Sequence, residues 1–164
     1  MAHTYLPHTA DLRAGVSGTD LASLYQSAAD LVREVLVGGS AVAAREERRL
    51  VVEGADEAER FFRFVRELLY LYDCEGFLPA RVALTAGHAG CPGDSGSGGD
   101  GGSSEDGGAG GSGMSSGDGG VAVLGERFDA ARHASERQVK ALTRHGYRFE
   151  RTPAGYQAEL LFDL

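Results

Sequence analysis

The amino-acid sequence predicts an α+β fold, a two-layer sandwich in which two amphipathic helices cover a mixed or antiparallel sheet. Three observations predict it. Two stretches of the 164-residue chain carry apolar residues at helical spacing, several others alternate apolar with polar residues, and one long glycine-rich tract interrupts the pattern.

Near the N-terminus Leu12, Ala14 and Val16 alternate with Asp11 and Arg13, as in a half-buried strand. Leu21, Leu24, Tyr25, Ala28, Leu31, Val32 and Val35 then recur at helical spacing, with Thr19 as the expected N-cap and Gly38-Gly39 as the stop. Arg48 to Gly54 reads as a short strand. A second helix is expected from Asp56, with Asp56 and Glu59 at capping-box spacing. Phe61, Phe62, Val65, Leu68, Leu69 and Tyr72 form its apolar face, and Gly76 ends it. Strands are expected over Phe77 to Ala86, Val121 to Phe128, Gln138 to Glu150 and Tyr156 to Leu164. The last two make a hairpin turning at Thr152-Pro153-Ala154-Gly155. Within it Val139, Ala141, Thr143, His145, Tyr147 and Phe149 are expected on one face, as are Tyr156, Ala158, Leu160, Phe162 and Leu164.

The tract from Gly87 to Gly120 holds 16 glycines and five acidic residues in 34, and no Lys or Arg. Such a segment buries too little to offset the entropy of ordering it, so it is read as a disordered Gly/Ser/Asp-rich insertion within one domain spanning 1–164. It lacks the GxxxxGK[ST] pattern of a phosphate-cradling loop. Five of the eight net negative charges lie in it, leaving about −3 elsewhere, which argues against a strongly basic nucleic-acid binder. No run approaches the roughly 20 apolar residues of a membrane helix, and MAHTYLPHTA lacks the pattern of an export signal. Cys74 and Cys91 are too few for a disulfide framework. A cytoplasmic protein without a membrane partner is expected.

Strand phase places Asp11 and Asp163 opposite the apolar stripes, in two terminal strands able to neighbour each other in one sheet. Two carboxylates brought together repel, and a hard divalent cation relieves the repulsion. Leu164 adds main-chain oxygens beside Asp163; the competing reading is a pair of solvated aspartates. His3, His8, His133 and His145 show no zinc-type spacing. Asp73, Cys74 and Glu75 close the second helix, where acids oppose the negative end of its dipole, a placement met by solvation or by a compensating partner. Cys74 is read as partly buried helix-end packing. Lys140, Arg144 and Arg148 share strand parity and could form a basic stripe, or simply a solvated face.

Taken in order, Tyr5-Leu6-Pro7-His8-Thr9-Ala10-Asp11, LASLYQSAADLV, FVRELLYLYD, Arg132-His133, Val139-Lys140-Ala141-Leu142-Thr143 and Leu161-Phe162-Asp163-Leu164 resemble the archease family over all of the chain except the glycine insertion. The resemblance implies a small α+β protein without catalytic residues of its own. It would serve transiently an RtcB-type RNA ligase in tRNA splicing and RNA repair, promoting GTP-dependent guanylation and repeated turnover and meeting RNA only through the ligase. It also implies a divalent-metal site, for calcium, on Asp11, Asp163 and Leu164. Asp73 and Glu75 are further candidates for that metal. His8, Lys140, Arg132 and His133 are candidates for partner contact. Readings from other classes are a metal-dependent phosphohydrolase using the same aspartates and a general protein-binding chaperone.

Overall fold

The second of the two helices among the described residues illustrates how closely local chemistry sets the element boundaries. In the computed structural model, which describes residues 2–6, 11–85, 119–135 and 137–164, α2 spans Glu57–Glu75. Its N-cap is Asp56, whose side chain accepts a 2.7 Å hydrogen bond from the Glu59 amide. It stops at Gly76, where φ of 64° and ψ of 24° form the left-handed cap that a residue without Cβ adopts freely. Helix α1 spans Leu21–Val37. Its cap is Asp20 rather than the expected Thr19: Asp20 Oδ1 accepts from the Ser23 amide at 2.7 Å, and Ser23 Oγ accepts in return from the Asp20 amide at 3.0 Å.

Among the described residues seven antiparallel strands accompany these helices: β1 (Ala2–Leu6), β2 (Asp11–Gly18), β3 (Glu46–Val52), β4 (Phe77–Leu84), β5 (Gly119–Arg127), β6 (Ala141–Thr152) and β7 (Gly155–Asp163). The α+β class and the antiparallel pairing agree with the sequence. The strands divide between a four-stranded sheet, β1-β2-β7-β6, and a three-stranded sheet, β3-β5-β4. Both helices pack against both sheets, α1 on β2 and β4, α2 on β6, β3 and β4. This position explains why ten of the 17 residues of α1 are buried, more than one helical stripe supplies. Tyr25, Phe61 and Phe64 meet there, with ring centroids 5.3 and 4.6 Å from Tyr25.

Polar groups inside this core are matched. The ladder between β4 and β5 shifts register between Pro79 and Arg81, and Gln26 on α1 spans the gap. Its amide nitrogen donates to the Ala80 carbonyl at 3.2 Å, and its oxygen accepts from the Val82 amide at 2.8 Å. Buried Ser27 lies 2.8 Å from the Ser17 carbonyl oxygen and 2.9 Å from that of Ser23.

Two expectations about β6 are corrected. Leu142 pairs with Phe162 and is buried, whereas Ala141 is exposed; beyond the bend, Phe149 pairs with Ala158 and packs inward. From Thr143 to Arg148 β6 advances five residues while β7 advances two, from Leu161 to Glu159. The odd excess turns the inward parity from even to odd. Gly146, at φ 72°, lies inside this bulge. The same inversion divides the expected basic stripe. Arg144 lies against α2, its guanidinium 2.7 Å from both Glu59 oxygens and 4.6 Å from the Phe62 ring centre, whereas Arg148 stands opposite Glu159.

Most of the 87–120 tract, with Cys91, lies outside the described residues, as does His8; Gly119 and Gly120 open β5. Cys74 is exposed, not packed. Among the described residues no helix is long and apolar enough to cross a membrane.

Candidate functional site

The alternation Leu12, Ala14, Val16 on β2 and Phe162, Leu160, Ala158 on β7 buries those six side chains. Because side chains alternate along a strand, the register that places Leu12 opposite Phe162 also places Asp11 opposite Asp163. The pairing expected of these two aspartates is therefore present in the backbone ladder, on the side turned away from the core. β6 continues the row: Ala141 is the partner of Asp163 on its other side. Lys140 closes it, its amide donating to the Asp163 carbonyl at 2.8 Å and its Nζ to the Leu164 main-chain oxygen at 2.9 Å.

This donor set is all oxygen. Like charges directly opposite each other in a ladder destabilise it, typically by a few tenths of a kcal/mol up to about 1 kcal/mol. Two carboxylates in that relation suit a hard divalent cation, which takes oxygen ligands, better than zinc, which favours His and Cys. Among the described residues no group of three or more His, Cys, Asp or Glu side chains is gathered in a metal-ligating arrangement. A cation held here would need its remaining ligands from main-chain oxygen and water, and Lys140 already engages one such oxygen on Leu164.

The two further acids separate. Glu75, the last residue of α2, is held by Arg48 of β3, at 3.0 Å from its Nε, so it is tied to the three-stranded sheet and is not gathered with Asp11 and Asp163. Arg48 thereby supplies the compensating partner that an acid at a helix C-terminus calls for. Asp73 instead lines a groove of about 490 Å³ between α2 and the start of β6, shared with Lys140 and Ala141.

Of the Arg132-His133 pair, Arg132 is exposed and His133 is buried. His133 is 2 % exposed and Glu126, on β5, is 3 % exposed. Arg132 grips the Glu126 carboxylate with two hydrogen bonds of 2.9 and 2.8 Å, and the Ala43 amide donates to it at 2.8 Å. These bonds, that of Arg132 foremost, pull the Glu126 carboxyl down to about 2. His133 Nδ1 accepts from the Asp129 amide at 2.9 Å, which leaves Nε2 as the protonated nitrogen, 3.3 Å from Glu126. The cluster pins the turn after β5 to the segment between α1 and β3, where Ser40 Oγ also accepts from the Ala134 amide at 2.9 Å. Sequence reasoning passed over Glu126. The signal available was an acid in an otherwise apolar strand, Val121 to Glu126, followed closely by Arg132-His133.

The sequence profile of the archease protein family (MTH1598/TM1083) matches residues 3–98 and 115–164. The chain belongs to the archease family. Related archeases include that of Archaeoglobus fulgidus, 29% identical over 164 residues and covering 100% of both chains, and that of Pyrococcus furiosus, 27% identical and covering 96% of this chain and 94% of its relative. Among solved structures the fold is similar to that of Methanobacterium thermoautotrophicum protein 1598, with a TM-score of 0.68 at 22% identity over 99% of this chain and 98% of the other. It is also similar to an archease from Thermotoga maritima described as a possible chaperone, with a TM-score of 0.60 at 19% identity, over 97% and 94%. The archease profile covers both Asp11 and Asp163, the paired ends of β2 and β7.

Proposed function

We propose that this archease is a non-catalytic activator of an RtcB-type RNA ligase, promoting its GTP-dependent guanylation and its repeated turnover in tRNA splicing and RNA repair. The observation that carries this reading is the register of Asp11 on Asp163. On this reading the two carboxylates would hold a divalent cation, calcium, with main-chain oxygen of Leu164 beside them. When bound, that cation neutralises the carboxylate pair and attracts anionic oxygen, such as that of a phosphate. Lys140, tethered to Asp163 and Leu164 through two hydrogen bonds, adds a fixed positive charge at the same edge. Partner contact through a possible-chaperone activity, the description attached to the Thermotoga maritima relative, is compatible with this role.

The test is a multiple-turnover ligation assay with the cognate ligase limiting, in RNA and GTP, with and without this protein. Wild-type protein is expected to restore turnover, and Asp11→Ala and Asp163→Ala to abolish the stimulation while keeping the fold, because neither side chain belongs to the core. Stimulation by both variants at the wild-type level overturns the metal-centred reading. Hydrolysis of a phosphoester by the protein alone replaces it with a phosphohydrolase.

A further inference from the structure

The groove between α2 and β6 has a floor of Leu69, Val139 and Leu142, 7, 6 and 9 % exposed, and a wall formed by Tyr70. Tyr70 is 60 % exposed, an unusual state for a large aromatic side chain bordering apolar neighbours. Its rim carries four charges of both signs, Arg66 and Lys140 against Glu67 and Asp73. Some opposite charges elsewhere close on each other, as in Arg33–Asp30, Arg48–Glu75, Arg63–Glu59 and Arg132–Glu126. The four around the groove stay open, as do Arg81 and Arg148, but among the described residues only here do both signs border an apolar floor beside an exposed aromatic ring. Among the described residues Arg66, Glu67 and Asp73 make no ion pair within 4 Å, and Lys140 bonds only to main-chain oxygen.

We propose that this groove is a docking site for a protein segment of the partner ligase. The segment places an apolar side chain against Tyr70 and the floor, and presents one acidic and one basic residue to the rim. Protein interfaces are centred on such exposed aromatic anchors with a polar rim. The mixed rim selects a protein over a nucleotide, since Glu67 and Asp73 would repel a phosphate chain. The groove also adjoins the carboxylate pair: Lys140 and Ala141 line it, and Ala141 is the ladder partner of Asp163. A segment seated in it brings the ligase surface to that edge of the sheet. This inference rests on the ligase as partner.

The experiment is titration of the cognate ligase with the full-length protein by calorimetry, comparing wild type, Tyr70→Ala, Asp73→Lys and, as a control on the other sheet, Val51→Ala. The fold of each variant is checked by its thermal midpoint. Tyr70→Ala and Asp73→Lys are expected to weaken binding at least tenfold, and Val51→Ala to leave it unchanged. Wild-type affinity in both groove variants overturns the docking site while leaving the ligase as partner. Failure of the wild-type protein to bind the ligase overturns the partner itself. Binding of magnesium GTP by the isolated protein, lost in Tyr70→Ala, makes the groove a nucleotide site instead.

Discussion

Asp11 stands directly opposite Asp163 in the antiparallel ladder of β2 and β7, so residues from the two ends of the sequence form one like-charged pair. The apolar residues next to them exclude a one-residue slip, which would turn one strand over and either expose Leu12 and bury Asp11 or expose Phe162 and bury Asp163. Hydrophobic burial therefore holds in place a repulsion that the strands would otherwise avoid.

In chelator, Asp11→Asn is expected to be more stable than wild type, because it removes that repulsion. A gain of roughly 0.2–1 kcal/mol corresponds to a rise of about 1–3 °C in thermal midpoint. Calcium is expected to reverse the order, raising the wild-type midpoint by mass action and leaving the variant where it was. Scanning calorimetry of both proteins, with chelator and with calcium, reads the two effects separately.

The buried carboxylate of Glu126 makes acid stability a second observable. Its folded-state value, about 2, lies below the ordinary 4.5, so its contribution is complete above pH 4.5 and is lost as pH falls toward 2. Urea midpoints measured across that window are expected to fall with pH in the wild type. Glu126→Ala is expected to be destabilised by about 3 kcal/mol at pH 7, by leaving Arg132, His133 and the Ala43 amide without their acceptor. Its urea midpoints are expected to depend less on pH between 4.5 and 2.

At Gly146 an added Cβ meets nothing within 4 Å, so only the backbone opposes substitution at φ 72°. Gly146→Ala is expected to cost about 1 kcal/mol in chemical denaturation, without loss of fold. A much larger loss would show that the parity change in β6 depends on glycine at this point.

β4 and β5 are already neighbours where the glycine-rich segment joins them. Leu84 pairs with Val121, and the Thr85 amide donates to the Gly120 carbonyl at 2.9 Å. Replacing residues 86–118 with a four-residue turn is therefore expected to preserve the fold and raise stability by about 2 kcal/mol, because loop closure grows only with the logarithm of length. A higher urea midpoint, with ligase stimulation unchanged, is the expected result.

Local pattern carried much of the architecture. Apolar residues at helical spacing marked both helices, Asp56 and Gly76 bounded the second, and the stripes of β2 and β7 alone placed Asp11 and Asp163 on the polar side. The motifs that resemble archeases named the same two aspartates. What a linear pattern lacked was any register within β6. A bulge is an insertion relative to the partner strand, visible only once β7 is alongside, and it moved Leu142 inward, Ala141 outward, and Arg144 and Arg148 apart.

The same distinction applies to charge. Composition and phase determined an α+β fold with two carboxylates kept out of its core, because burial acts on each side chain's own polarity. Only the tertiary structure decided which opposite charges meet. Glu126 closed on Arg132 and His133 and became part of the interior, Glu75 went to Arg48, and Asp73 was left unpaired at the groove with Lys140. Electrostatic pairing depends on distance in space and on local solvent, and neither can be read along the chain until the sheets have brought its distant parts together.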